Sequence, residues 1–304
     1  MVPHFELVFF PTLEAVGKMH PWNRILDQWD QMASSEKTAQ INDIAETYVA
    51  YGRKYNHSAL VITEAREMPF DAYIKIVERI REISGNEFFL LKSSDPTMPI
   101  PSGENMVEIS AMMYEEPERL IEKTKKLQNV ILSQAEKLQG KGLIDGYVMC
   151  SDYCFNTNPF FSRDMFAELI CPSLSETIKG FHDMGFYAIK HTDGNIMPIV
   201  DMMIECGPDA LHSLDPQGGV SLKELKAKYK DRVAFCGNVN CGLLQTGTEE
   251  EVIEDVKRSL REGMNGYGYI FCTSNCIYTG LDLSRYELMH KLWEQYGVYP
   301  TLHE

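Results

Sequence analysis

Phe186-Tyr187-Ala188-Ile189-Lys190-His191-Thr192-Asp193-Gly194-Asn195 is the stretch whose reading decides the fold. Its first half is an apolar, strand-like run. Its second half turns abruptly polar, and a helix-like segment, Met197 to Ile204, follows. In a strand, residues two apart point to the same face, so the imidazole of His191 and the carboxylate of Asp193 leave together. Gly194 then lets the chain turn away. A parallel strand that delivers an acid/base pair at its C-terminal end is the signature of an α/β enzyme site. The plainer alternative is a hydrogen-bonded core histidine beside an aspartate that caps the next helix.

Outward from this stretch, strand-like and helix-like segments alternate along the whole chain, which is the pattern of βα units around a parallel sheet. The strand-like runs are Phe5–Phe9, Ala59–Thr63, Phe88–Lys92, Gly146–Cys150, Phe186–Lys190, Ala210–Leu214, Val233–Cys236 and Tyr267–Phe271. Amphipathic helical stretches lie between them at 71–83, 117–138, 163–184, 222–229, 249–262 and 284–296. Eight strands with intervening helices predict an α/β fold, a single (β/α)8 TIM barrel spanning residues 1–304 as one domain. A doubly wound open sheet would want a glycine-rich phosphate loop after an early strand, and none is present. Residues 93–109, rich in Pro, Ser and Gly, are expected to form a long loop over one barrel mouth.

The net charge of −15 disfavours binding of nucleic acid, which depends on neutralising phosphates. No apolar run approaches the roughly 18 residues that span a bilayer, and no signal peptide is visible, so a cytoplasmic protein with no membrane contact is expected. The eight cysteines then read as reduced thiols, most of them small buried hydrophobes.

Polar clusters recur at the same end of successive strands: Ser151 to Asn156, His191 to Asn195, Asp215 to Gly219, Gly237 to Cys241 and Cys272 to Cys276. Each alone reads as a capped turn. Five in register describe a pocket lined from several strands. Within it, His191, Asp193 and Cys276 offer nitrogen, oxygen and sulfur donors, a set that suits zinc with an open position for an incoming group. Cys272 competes with Cys276 for the sulfur, and the plainer reading is two buried thiols near an unrelated His–Asp hydrogen bond. Asp152 and Asn238 are expected to act on or orient the substrate as catalytic residues. Glu6, Tyr153, Phe155 and Phe160 are expected to bind it, with His4 sharing a face with Glu6 and reaching the barrel mouth. His212, within a strand, reads as a hydrogen-bonded core residue.

Several ordered pieces carry a resemblance: Ser151-Asp152-Tyr153, Pro159-Phe160-Phe161-Ser162-Arg163-Asp164-Met165-Phe166, Cys171-Pro172, His191-Thr192-Asp193-Gly194-Asn195 and Phe235-Cys236-Gly237-Asn238-Val239. Leu222 to Lys226, Gly247 to Val252, and Gly268 to Ile270 leading to Cys276 complete the set. In these the chain resembles the uroporphyrinogen decarboxylase superfamily, whose members are (β/α)8 barrels. True decarboxylases of that superfamily carry an arginine-rich segment after the first strand that binds propionate carboxylates. Here that region reads Phe5-Glu6-Leu7-Val8-Phe9-Phe10-Pro11-Thr12, with no arginine before Arg24.

The other branch, the corrinoid-dependent methyltransferases, holds zinc on a His-x-Cys pair and a distant cysteine. The resemblance places His191 at the histidine and Cys276 at the distant cysteine, while Asp193 stands where the first cysteine would be. A carboxylate leaves zinc more Lewis acidic than a thiolate does. The resemblance therefore implies transfer of a methyl group from a small methylated donor, such as a methoxylated aromatic or a methylamine, to a cobalt(I) corrinoid on a separate protein. The alternatives are a decarboxylase working without metal, with Asp152 stabilising charge, and a non-enzymatic scaffold for a corrinoid protein. Family members usually carry a helical segment before the first strand, so either the barrel bottom is uncapped or the start lies upstream.

Overall fold

The computed structural model describes residues 1–299 apart from 64, 66 and 67. Among the described residues, seven parallel strands form one sheet in the order of the chain: β1 Ala59–Ile62, β2 Phe89–Ser93, β3 Gly146–Cys150, β4 Tyr187–Thr192, β5 Ala210–Ser213, β6 Ala234–Val239 and β7 Tyr269–Thr273. Helices lie between them and on the outer face, as parallel crossovers require. They include Phe70–Ser84, Pro117–Leu138, Cys171–Asp183, Leu222–Tyr229, Glu249–Gly263 and Leu283–Tyr296. The segment expected as a loop at 93–109 is irregular up to Asn105, and helix Met106–Glu115 takes up its end.

The expected closed barrel of eight strands is corrected to a curled sheet of seven. Residues 5–9, read as the first strand, form no ladder. Two isolated parallel bridges stand in its place, His4 to Phe271 just before these residues and Phe9 to Ile277 at their end. Main-chain bonds from Phe271 N to Pro3 O (2.8 Å) and from Ser58 N to His4 O (2.6 Å) seat the segment between β7 and the entrance to β1. The ladder stops there because the next free amide of β7, Thr273 N, donates to the side-chain carboxyl of Glu6 (3.2 Å) instead of to a main-chain carbonyl.

Both sheet faces are buried, which explains why the strands read as apolar runs. A small cluster fills the inside of the curl, with Phe5, Val61, Leu91, Val148, Ile189, Ala210, Cys236 and Cys272. A much larger one joins the outer face to the helices. Tyr147 stacks flat on Phe181 there, ring centroids 3.9 Å apart. At the N-terminal ends of the strands, Phe5, Phe89, Leu91, Ile189 and Ile270 line an apolar cavity of about 490 Å³.

Alternation along β4 sends Ile189 and His191 inward and Lys190 outward. Lys190 is fully buried there and forms a 2.7 Å ion pair with Asp95. It also donates to the carbonyls of Met149 (3.3 Å) and Ser151 (3.0 Å) and lies 4.3 Å from the centre of the Tyr153 ring. Thr97 Oγ1 completes the network, 2.6 Å from Asp95 Oδ1 and 2.5 Å from the Tyr153 hydroxyl. The loop after β2 is thereby fastened to the ends of β3 and β4. Removing one member of a buried pair strands the other charge, which costs about 3–5 kcal/mol. Asp95→Ala is therefore expected to lose that much stability in urea denaturation, and a loss below about 1 kcal/mol, the scale of an exposed pair, would contradict the role given to the network.

Candidate functional site

The site sits where β3 and β4 end. Two residues past β3 comes Asp152, and the residue after β4 is Asp193. Gly194 then turns with φ +78°, and a Cβ there would meet the Cys154 carbonyl oxygen at 2.5 Å. This close approach lets Asn195 N donate to Phe155 O (2.9 Å), so the two loops interlock. Asp193 N donates to Asp152 Oδ1 at 3.0 Å, which orients one carboxylate from the backbone of the other.

His191 faces both acids. Its Nε2 lies 3.8 Å from Asp152 Oδ1 and 3.8 Å from Asp193 Oδ1, too long for hydrogen bonds. The donor atoms of Asp152, His191 and Asp193 all fall within 4.8 Å of one another. Burial, followed by the nearby Lys190 charge, pushes the His191 imidazole down to about 3, so it is neutral at pH 7. Burial, then repulsion from Asp152, raises the Asp193 carboxyl to about 7. Asn275 Nδ2 donates to Asp193 Oδ2, while the buried Oδ1 has no partner among the described residues. A neutral imidazole and two acids, one with a bare buried oxygen, are a ready set of cation ligands. The 3.8 Å spacings are below about 4.2 Å, twice a zinc–ligand distance, so one ion can touch the histidine and either acid.

The other expected residues divide clearly. Cys276 is not among the donor atoms brought together, although its amide donates to Asn275 Oδ1 (2.6 Å) beside Asp193. Burial and the Asp193 charge push its thiol far above the ordinary range. Cys272 is fully buried in the inner apolar cluster. Asn238 spends its amide elsewhere: Nδ2 donates to Leu214 O (3.0 Å), and Oδ1 accepts from Arg258 (3.1 Å) and Ser259 (3.2 Å) of helix Glu249–Gly263. Tyr153 is fully buried, held in the Lys190 network. Phe155 is exposed at the mouth, with the half-buried Phe160 ring 6.2 Å away. His4 does not reach the mouth. It bonds the Phe271 carbonyl (3.0 Å) and the Tyr286 hydroxyl (3.2 Å) within an aromatic wall that includes His57 and Trp293.

Glu6 is buried, and its protonation follows from counting protons. Thr273 Oγ1 lies 2.6 Å from Glu6 Oε2 and 2.7 Å from Asn275 O, yet it has one proton for two acceptors. The second proton belongs to Glu6. Burial, opposed by its bonds to Thr273, raises this carboxyl to about 8. Its other oxygen, Oε1, is buried without a partner among the described residues, which a neutral acid tolerates far better than a carboxylate.

Two residues beside this set carry little signal in the sequence: Asn275, and His212, whose Nδ1 lies 2.8 Å from His191 Nδ1. For Asn275 the signal is its place inside the polar Cys272 to Cys276 cluster. A cavity of about 580 Å³ beyond the loop after β2 is lined by Met98, Ile100, Ile109 and Leu120. Its wall is mostly apolar and holds none of the converging donors, so the strand ends remain the site.

The uroporphyrinogen decarboxylase (URO-D) family matches residues 100–296. The chain belongs to that family. Among solved structures, this URO-D family chain is similar to a methyltransferase from Methanosarcina mazei, at 14% identity and a TM-score of 0.73 over 98% of this chain and 94% of that one. That similarity establishes a shared fold. The 3-keto-D-glucoside 4-epimerase of E. coli matches more loosely, at 11% identity and a TM-score of 0.47 over 84% of this chain and 94% of that one. Comparison with curated protein sequences gives no match.

The neutral Glu6 sets a pH dependence. Its carboxyl is raised from 4.5 to about 8, so the folded state keeps a proton that the unfolded state has lost. Its stabilising contribution is complete below pH 4.5 and disappears as pH rises through 8, with a limiting slope of about 1.4 kcal/mol per pH unit. In chelator, wild type is expected to lose stability over that window faster than Glu6→Gln, since the rise of Asp193 is common to both. Parallel stability curves from denaturation at several pH values would contradict this.

Proposed function

We propose that this URO-D family chain is a zinc-assisted methyltransferase that moves a methyl group from a small methylated donor to a cobalt(I) corrinoid carried by a separate protein. The observation that carries the reading is the convergence of Asp152, His191 and Asp193 at the strand ends, on a fold shared with a methyltransferase. In this reading Asp152, His191 and Asp193 hold the cation. Cys276 lies at the rim of the set and would join only if metal binding removed its proton. The zinc supplies Lewis acidity, polarising the oxygen or nitrogen that bears the methyl group.

The chain's own residues do the rest. Asn275 holds one oxygen of Asp193 and leaves the other bare for the cation. Asp152, with its side chain about half exposed, closes the open side of the site and orients the donor. Phe155 and Phe160 offer aromatic surface at the mouth for the donor's hydrocarbon part. The methyl group leaves oxygen or nitrogen, and the leaving atom takes up a proton.

Decarboxylation of a polycarboxylate is less well supported by the side chains. Arg24, the first arginine, is committed to Asp43 (2.5 Å), Gln40 (3.2 Å) and the Met19 carbonyl (3.0 Å). Among the described residues, no helix is long and apolar enough to cross a membrane.

Metal-stripped protein titrated with zinc against a chromophoric chelator tests the reading. Wild type is expected to take one ion per chain, and His191→Ala and Asp152→Asn to bind more than about 100-fold more weakly, beyond what supporting residues command. Zinc-loaded wild type screened with methoxylated aromatics and methylamines should methylate a cobalt(I) corrinoid. Failure to bind zinc, or equal binding by His191→Ala, would overturn the proposal.

A further inference from the structure

The nitrogen of His191 that faces away from the carboxylates has a partner. His191 Nδ1 lies 2.8 Å from Nδ1 of His212. Parallel pairing of β4 and β5 sets the two residues directly opposite one another, and both are buried. Among the described residues, the His212 side chain makes no other hydrogen bond. Its Nε2 is buried without a partner, and its ring lies 6.0 Å from that of Phe5. An apolar side chain of similar size would fill this space and leave no polar atom stranded. The polar contact of the His212 ring is the bond to His191.

A bond between two Nδ1 atoms contains one proton. A neutral imidazole also carries only one, so the nitrogen that supplies the shared proton decides what the far side of each ring presents. If His212 supplies it, His191 carries its proton on Nε2, aimed at Asp152 and Asp193, and cannot bind a cation. If His191 supplies it, His191 Nε2 is a free lone pair between the two acids. His212 then serves as the acceptor, with its own proton on the unpartnered Nε2.

We infer that His212 is the positioning residue of the site: it fixes the ring of His191 and accepts its Nδ1 proton, so that the Nε2 lone pair faces Asp152 and Asp193. This inference rests on reading those three residues as cation ligands. Supporting partners of this kind, which hold the far nitrogen of a ligating histidine, set its tautomer and basicity. Here the support comes from a second imidazole on the neighbouring strand, where a carboxylate or main-chain carbonyl is more usual.

Two variants and one spectroscopic measurement test it. His212→Leu removes the acceptor, and His212→Asn restores one through its side-chain oxygen. In chelator competition with zinc, His212→Leu is expected to bind about 10–100-fold more weakly than wild type, with His212→Asn recovering most of the loss. Circular dichroism and thermal melting confirm that each variant folds. Independently of any variant, nitrogen NMR of histidine-labelled, zinc-loaded wild type should show His191 protonated at Nδ1, and His212 protonated at Nε2. Zinc binding by folded His212→Leu equal to that of wild type would overturn the inference while leaving the site reading standing. A His212 Nδ1 proton in the zinc-loaded protein would do the same. Absence of zinc binding in wild type would instead overturn the site reading, and this inference with it.

Discussion

The parallel pairing of β3, β4 and β5 aligns Cys150, His191 and His212 in one row across the sheet. Because side chains alternate along each strand, that register decides the whole arrangement at the mouth. A shift of one residue in β4 would send Lys190 to the inside and His191 to the helix layer. The register is held from outside by the buried Lys190–Asp95 pair, whose bonds reach the ends of β3 and the loop after β2. It is held from above by the turn at Gly194, which lets the loops after β3 and β4 touch through their backbones. Asp152 and Asp193 are therefore placed by main-chain geometry, and their side chains have little freedom to drift apart.

That placement concentrates acids where water is scarce. Asp193 and Glu6 are both held above their ordinary carboxyl range chiefly by burial, while His191 is held neutral. An unpartnered buried polar atom costs about 1–3 kcal/mol, and Asp193 Oδ1 and Glu6 Oε1 are two of them within the sheet's interior. The two are met differently. Glu6 keeps its proton and shares it with Thr273, so it needs no counter-ion. Asp193 lies beside a second acid and a neutral imidazole, where one divalent cation would satisfy all three groups at once.

Much of the fold was legible in the sequence because buried parallel strands announce themselves as apolar runs between amphipathic helices. Seven of the eight strand-like runs are strands, and helix Leu222–Tyr229 appears with the expected bounds. The eighth failed because hydropathy records burial and is blind to hydrogen bonding: residues 5–9 are largely buried, yet the Glu6 side chain takes the amide that a ladder would use. At the site, the same-face logic of His191 and Asp193 was legible within one strand. The approach of Asp152 was not, since it depends on the register between two strands. Asn238 illustrates the same limit in reverse. It stands at a strand end, but its amide turns to Arg258 and Ser259. His212 is a buried, hydrogen-bonded residue, as its place within a strand suggests, while the identity of its partner, His191, follows only from the pairing of β4 with β5.

The central claim is that Asp152, His191 and Asp193 share one cation. A crystal structure of the zinc-loaded protein, with anomalous data collected at the zinc absorption edge, tests it most directly. The account predicts a single strong peak bounded by Asp152 Oδ1, His191 Nε2 and Asp193 Oδ1. Zinc bound only through the cysteine thiols, or no peak between these three side chains, would contradict it.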